Sequence, residues 1–164
     1  MPPLRFARVE TTVGPMLAAE TDAGIAGVGR AVALEGFLQP LRRRFPDLQP
    51  APAGLDLAWL TDSLEGEAAA LPAVDLRGLS AFDARVYEAV RAVPRGQTVT
   101  YGEVAALIGS PGAARAVGGA MARCPLFPAV PCHRVVRAAD GWSGWGGDDR
   151  LKLRLLRAES AGFR

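Results

Sequence analysis

Residues 100–123, TYGEVAALIGSPGAARAVGGAMAR, carry two helix signatures separated by a tight turn. Thr100 and Glu103 have the Thr-x-x-Glu spacing of a capping box, in which each side chain satisfies a backbone N–H of the other. A helix is therefore predicted to start there and run through Val104, Ala105 and Leu107 to Gly109. Ser110 and Pro111 offer a cap and a first-turn proline for a second helix over 112–123. Two short helices joined by Gly-Ser-Pro are what a helix-turn-helix needs. Helical hairpins also occur in proteins that never meet DNA, so the hairpin alone leaves both readings open.

Working outward, Ser80 and Asp83 precede an apolar stripe at Phe82, Val86, Ala89, Val90 and Val93, which predicts another helix ended by Pro94 and Gly96. The N-terminal texture differs. Strand-like runs over 5–10 and 16–20 are broken by Val13-Gly14-Pro15 and Asp22-Ala23-Gly24, the punctuation of a short antiparallel meander. The stretch 38–71 mixes amphipathic helical segments with Pro46, Pro50, Pro52 and Gly54, and reads as helix and loop covering that sheet. Two domains are expected: an α/β N-terminal scaffold over 1–76, with a small antiparallel sheet and helix, and a mostly α C-terminal domain over 77–164.

Bulk properties narrow the function. The 164 residues contain no run of 18 apolar positions and no basic segment leading into an apolar one, so a soluble, cytoplasmic protein is expected, with no membrane partner. Residues 1–76 carry 6 basic against 10 acidic groups, and residues 77–164 carry 13 against 7. That asymmetry suits a phosphate-facing C-terminal half, although it also fits a solvated surface. Cys124 and Cys132, with seven residues between them, match no zinc pattern, and the single histidine, His133, leaves metal catalysis without a ligand cluster. No metal and no cofactor are expected.

Chemistry concentrates in Pro131-Cys132-His133-Arg134-Val135-Val136, where a thiol, an imidazole and a guanidinium follow one another. A cysteine in such company is expected to have a lowered pKa and to be nucleophilic, against the ordinary alternative of an inert buried thiol. Val135-Val136 suggests an extended segment, in which Cys132 and His133 would point to opposite faces and a water would relay the proton between them. Glu159, near the C-terminus of the last helix, is disfavoured by the helix dipole unless a cation pairs with it, and is a candidate orienter of the imidazole. On the second helix of the hairpin, Arg115, Gly119 and Arg123 fall four apart beside an apolar face of Ala114, Val117 and Met121. Adjacent Gly118 and Gly119 cost about 1 kcal/mol each in a helix, so something approaches the backbone there, either another helix or a DNA groove. Trp142 and Trp145, in a loop with Gly141, Gly144, Gly146 and Gly147, could close over a flat base or plug a core.

From 74 to 159 the chain resembles the O6-alkylguanine-DNA alkyltransferases. The resemblance rests on Thr100-Tyr101-Gly102-Glu103, on Ala113-Ala114-Arg115-Ala116-Val117-Gly118-Gly119-Ala120-Met121 and on Val130-Pro131-Cys132-His133-Arg134-Val135, in that order and spacing. Thr12-Val13-Gly14-Pro15-Met16-Leu17 extends it toward the N-terminus. It implies a ribonuclease H-like N-terminal domain and a C-terminal helix-turn-helix domain. It further implies stoichiometric, irreversible transfer of an alkyl group from O6-alkylguanine to Cys132, after minor-groove binding and nucleotide flipping. By the resemblance, Cys132, a water, His133 and Glu159 form the proton relay, and Tyr101 contacts a phosphate and protonates the departing guanine. Arg115 fills the gap left by the flipped nucleotide, with Ala114, Gly118, Gly119 and Arg123 also at the DNA. Met121, Val135, Trp145 and Gly146 line the pocket. The partner implied is double-stranded DNA bearing the lesion, met by a monomer, with clustering on DNA an open alternative.

Cys124 stands where the family usually has asparagine, Trp145 where it has tyrosine, and Asp148 where a loop glycine is common. Phe127-Pro128 departs from the commoner pattern at the pocket rim. No resolving cysteine is expected beside Cys132. Three other functions remain in view. One is a non-catalytic alkyltransferase-like protein, although those relatives lack the cysteine that is present here. Another is a helix-turn-helix regulator using Cys132 as a sensor, and the third is a cysteine hydrolase.

Overall fold

The computed structural model describes residues 3–138 and 149–159. The chain divides into two compact units, one of Met1–Glu65, Ala69–Leu79 and Pro125–Ala129, the other of Gly66–Ala68, Ser80–Cys124 and Val130–Arg164.

In the first unit, β1 (Leu4–Thr11), β2 (Gly14–Thr21) and β3 (Gly24–Arg30) form the predicted meander, with Ala7 opposite Ala18 and Met16 opposite Arg30. The β2–β3 turn requires glycine: Gly24 has φ +139°, and a Cβ there would lie 2.4 Å from the Ala73 carbonyl oxygen. The sheet is mixed rather than wholly antiparallel. A short β4 (Pro50–Pro52) pairs parallel with β1, giving the order β3-β2-β1-β4. Its prolines read as loop because they lack N–H groups, yet an edge strand tolerates them. The neighbouring bonds, Leu4 N–H to Gln49 O and Ala53 N–H to Phe6 O, both 3.0 Å, come from non-proline donors.

The helix α1 (Leu34–Arg44) lays Leu38 and Leu41 on the sheet, closing a core with Leu4, Ala19, Ala26 and Phe45. The close approach depends on the bare backbone of β3, since a Cβ at Gly27 would sit 3.2 Å from Leu41 and one at Gly29 3.2 Å from Phe37. A second helix, α2 (Ala58–Leu64), buries Leu60 and Leu64.

In the second unit, α3 (Ala81–Arg91) is capped as predicted, with Ser80 Oγ accepting from the Asp83 N–H at 3.1 Å. A two-residue strand β5 (Val99–Thr100) leads into α4 (Tyr101–Leu107). Both halves of the capping box are made: Thr100 Oγ1 accepts from Glu103 N–H at 3.0 Å and Glu103 Oε1 from Thr100 N–H at 3.1 Å. The next helix, α5 (Ala114–Ala122), begins later than Ser110-Pro111 suggests. Ala113 N–H donates to Ser110 O at 2.9 Å, so the proline serves as the second residue of a β-turn instead of the first of a helix. After the Cys132–Arg134 segment, β6 (Val135–Val136) pairs parallel with β5, and α6 (Asp149–Glu159) buries Leu151, Leu155 and Leu156. Among the described residues no helix is long and apolar enough to cross a membrane.

Candidate active site

Cys132, His133 and Arg134 form a single 3-10 turn, not the extended segment that Val135-Val136 suggests. Arg134 N–H donates to Pro131 O at 3.0 Å, and Cys132 N–H reaches back to Val130 O at 2.8 Å. Proline at 131 has no N–H to offer a strand, so the chain turns before the short β5–β6 pairing takes over. All three side chains are buried, Cys132 to 1% exposure.

The turn is held against the end of α6. His133 Nε2 and Glu159 Oε1 are 2.7 Å apart, while Arg134 donates through Nε to Oε2 at 2.9 Å and through Nη2 to Oε1 at 2.8 Å. Arg134 Nη1 also donates to Val93 O at 3.0 Å. Glu159 thus has the paired cation that its dipole-disfavoured position calls for. Burial works against its charge, but the hydrogen bonds from His133 and Arg134 outweigh that and hold its pKa at about 2. Burial lowers the His133 pKa despite the carboxylate, leaving a neutral imidazole at physiological pH. With Nε2–H directed at Glu159, Nδ1 is the basic nitrogen.

The expected lowering of the Cys132 pKa does not hold. The influence of the Cys124 thiol, followed by burial, pushes the Cys132 thiol well above its ordinary value; the Lys152 ammonium offsets this only in part. Lys152, on α6, is fully buried and donates from Nζ to Val135 O at 2.7 Å. The site therefore holds a protonated thiol that needs a base at the moment of attack, with a neutral, carboxylate-oriented imidazole as the next residue.

Sequence reasoning missed Arg134 as the clamp on Glu159 and Lys152 as the buried cation. Only Lys152 left a signal, as a charged residue between Leu151 and Leu153 on an apolar stripe. Val135 and Met121 are buried, as pocket residues would be. Trp145 and Gly146 lie outside the described residues.

On α5, Ala114 opens the helix and Arg115 follows it, exposed. The two glycines have occupants over them within this unit: a Cβ at Gly118 would be 4.0 Å from the Tyr101 ring, and one at Gly119 2.9 Å from Arg123 Nη1. Arg123 folds toward α3, donating through Nε and Nη2 to the Asp83 carboxylate at 2.9 and 2.7 Å. Among the described residues no group of three or more His, Cys, Asp or Glu side chains could hold a metal ion.

Comparison with known proteins places these features in context. Residues 81–161 match the family model described as 6-O-methylguanine DNA methyltransferase, DNA binding domain. A methylated-DNA–protein-cysteine methyltransferase of Mycolicibacterium paratuberculosis is 49% identical over 86 residues, 52% of this chain and 52% of that protein. A DNA base-flipping protein of Thermus thermophilus is 48% identical over 89 residues, 54% of this chain and 58% of that protein. The matched stretch thus spans about half the length of these curated relatives. A crystal structure of Mycobacterium tuberculosis OGT in complex with DNA superposes with a TM-score of 0.74 at 31% identity, covering 95% of this chain and 93% of that one.

Proposed function

Because the chain belongs to the 6-O-methylguanine DNA methyltransferase family, we propose that it repairs DNA by moving an alkyl group from O6 of guanine onto Cys132 Sγ, once per molecule. The observation that carries this reading is the Cys132–His133 turn held on the Glu159 carboxylate, a nucleophile followed directly by an oriented base. The thiol proton passes through a water to His133 Nδ1 while sulfur attacks the saturated carbon. The S–C bond forms and the C–O6 bond breaks, leaving its electron pair on the guanine, which takes a proton from Tyr101. The product is a thioether, a poor leaving group, so the protein is spent.

Access to the base falls to the other half of the unit. The pair α4 and α5 acts as a helix-turn-helix whose second helix enters the minor groove, with Ala114, Gly118 and Gly119 keeping its face low. Arg115 takes the space of the rotated nucleotide. Arg123, exposed though paired with Asp83, adds positive charge at the far end of α5. Met121 and Val135 bound the pocket with Trp145 and Gly146. Residues 77–164 form the transferase domain, and 1–76 a ribonuclease H-like scaffold. The protein acts as a monomer in the cytoplasm, on double-stranded DNA and without a cofactor.

Similarity to a base-flipping protein favours a second reading, recognition without transfer. Titration with duplex carrying labelled O6-methylguanine separates the two. Transfer that stops at one methyl per protein supports repair. Tight binding with no transfer supports recognition alone, and continued turnover contradicts both.

A further inference from the structure

The turn between α3 and β5 meets the Glu159 clamp at three points. Gln97 N–H donates to Pro94 O at 3.1 Å, closing a β-turn whose third residue, Gly96, has φ +89°, a value that favours glycine. Just before the turn, Val93 O accepts from Arg134 Nη1 at 3.0 Å, and a Cβ on Gly96 would lie 3.1 Å from Glu159 O. Arg95, exposed at the second position, carries its guanidinium to the last turn of α6, where Nη2 donates to Ala158 O at 3.2 Å and to Gly66 O at 2.6 Å. Gly66 belongs to the same unit and lies directly on that helix, since a Cβ there would be 2.5 Å from Ala158 Cβ. Ala158 O is one of the last four carbonyls of α6, which find no N–H within the helix, and a cation at that end is also favoured by the helix dipole.

We propose that Arg95 is a positioning residue for the base: by tying the last turn of α6 to Gly66, it keeps the Glu159 carboxylate on His133 Nε2 and so keeps Nδ1 as the nitrogen that accepts the thiol proton. Helix ends fray, and Glu159 sits in the turn where fraying begins. Its carboxylate is held by His133 and Arg134, whereas the backbone that carries it is held at the neighbouring carbonyl by Arg95. A displacement of Glu159 by about 1 Å would stretch its 2.7 Å contact with His133 beyond hydrogen-bond length. Once the carboxylate has moved away, either ring nitrogen of the neutral imidazole can carry the proton, and molecules that carry it on Nδ1 have no base for the thiol. Arg95 acts through Glu159 and touches neither the thiol nor the imidazole. The positioning stands on these contacts; its effect on alkyl transfer rests on the proposed function.

His133 is the single histidine of the chain, so imidazole nitrogen NMR reads its tautomer without ambiguity. Long-range proton–nitrogen spectra of the full-length wild type at pH 8, where burial keeps the ring neutral, are expected to show the proton on Nε2 alone. In Arg95→Met a population with the proton on Nδ1 is expected to appear. Gly66→Ala, which crowds the same turn of α6 without altering charge, is expected to shift the tautomer likewise. Single-turnover methyl transfer in Arg95→Met should slow by about tenfold, less than the ~100-fold that a 1 Å misplacement can cost. The slowing should be equal on duplex and on the free alkylated base, with duplex affinity unchanged. A tautomer unmoved in either variant would overturn the proposal. So would a loss confined to duplex, which would make Arg95 a phosphate contact. The tautomer readout does not depend on alkyl transfer. A shifted tautomer in a protein that never accepts methyl leaves this inference standing and defeats the repair reading, whereas methyl transfer with a tautomer indifferent to Arg95 does the reverse.

Discussion

Lys152 is fully buried and holds its ammonium against Val135 O at 2.7 Å, one residue past the reactive turn. Of the groups acting on the Cys132 thiol, it is the cation that favours the thiolate, against the influence of the Cys124 thiol and burial. Lys152→Met is expected to raise the thiol pKa further and to slow single-turnover methyl transfer by about tenfold, the equivalent of one pKa unit. Leaving the Val135 carbonyl unpaired costs about 1–3 kcal/mol of stability as well. An unchanged transfer rate would remove Lys152 from the electrostatics of attack. The His133 imidazole predicts the pH profile. Burial lowers its pKa below 6.5, so the neutral base persists as pH falls through that value. The single-turnover rate is therefore expected to hold level from pH 8 to about 6.5 and to decline only at lower pH, as His133 takes a proton. A decline beginning above pH 7 would show the base to be another group.

At the scale of elements, α4 bears on folding and α5, under the proposed function, on binding. Thr100→Ala removes one arm of the capping box that starts α4 and is expected to cost about 0.5–2 kcal/mol in denaturant unfolding. Arg115→Ala removes an exposed side chain from the first turn of α5. It is expected to leave unfolding unchanged and to weaken transfer from duplex by about 1–3 kcal/mol, with less effect on the free alkylated base. Equal loss on both substrates would take Arg115 out of the DNA-facing role. The caps at Ser80 and Thr100 were legible in sequence because a cap is settled within four residues. The start of α5 was not, because Ser-Pro serves a turn as readily as a helix and the choice depends on Ala113 bonding back to Ser110. The turn at Cys132–Arg134 escaped for a related reason: its geometry is set by Pro131 and by the clamp of Arg134 on Glu159, a residue 25 positions away. Contacts of that reach, like His133 with Glu159, arise only when the chain returns on itself.

Across the whole molecule, each compact unit contains a buried carboxylate held by cations or hydroxyls. In the first, Asp75 accepts from the Thr21 hydroxyl and from Arg77. Burial opposes its charge, but these bonds prevail and bring its pKa to about 2. Glu159 does the same in the second. Both pKa values are depressed on folding, so both contributions are complete above the ordinary carboxylate range and are lost as pH falls toward 2. The protein is accordingly expected to keep its unfolding free energy down to about pH 5 and to lose it steeply below 4. Asp75→Asn and Glu159→Gln should each flatten that loss while lowering stability at pH 7. Glu159→Gln is the more costly, because it leaves Arg134 buried without its counter-charge. Acid profiles unchanged in both variants would contradict this. The mixed sheet shows the limit of sequence reading at this scale: the meander was legible from its Gly and Asp turns, whereas β4 needed β1 beside it to become a strand at all.

The central claim is that Cys132 is the acceptor and is consumed. Its most direct test is the intact mass of the protein after incubation with excess duplex containing one O6-methylguanine, followed by peptide mapping, with Cys132→Ala in parallel. The account predicts a single added methyl, carried by Cys132 and missing from the variant. An unchanged mass despite binding, or a methyl mapped to Cys124, would contradict it.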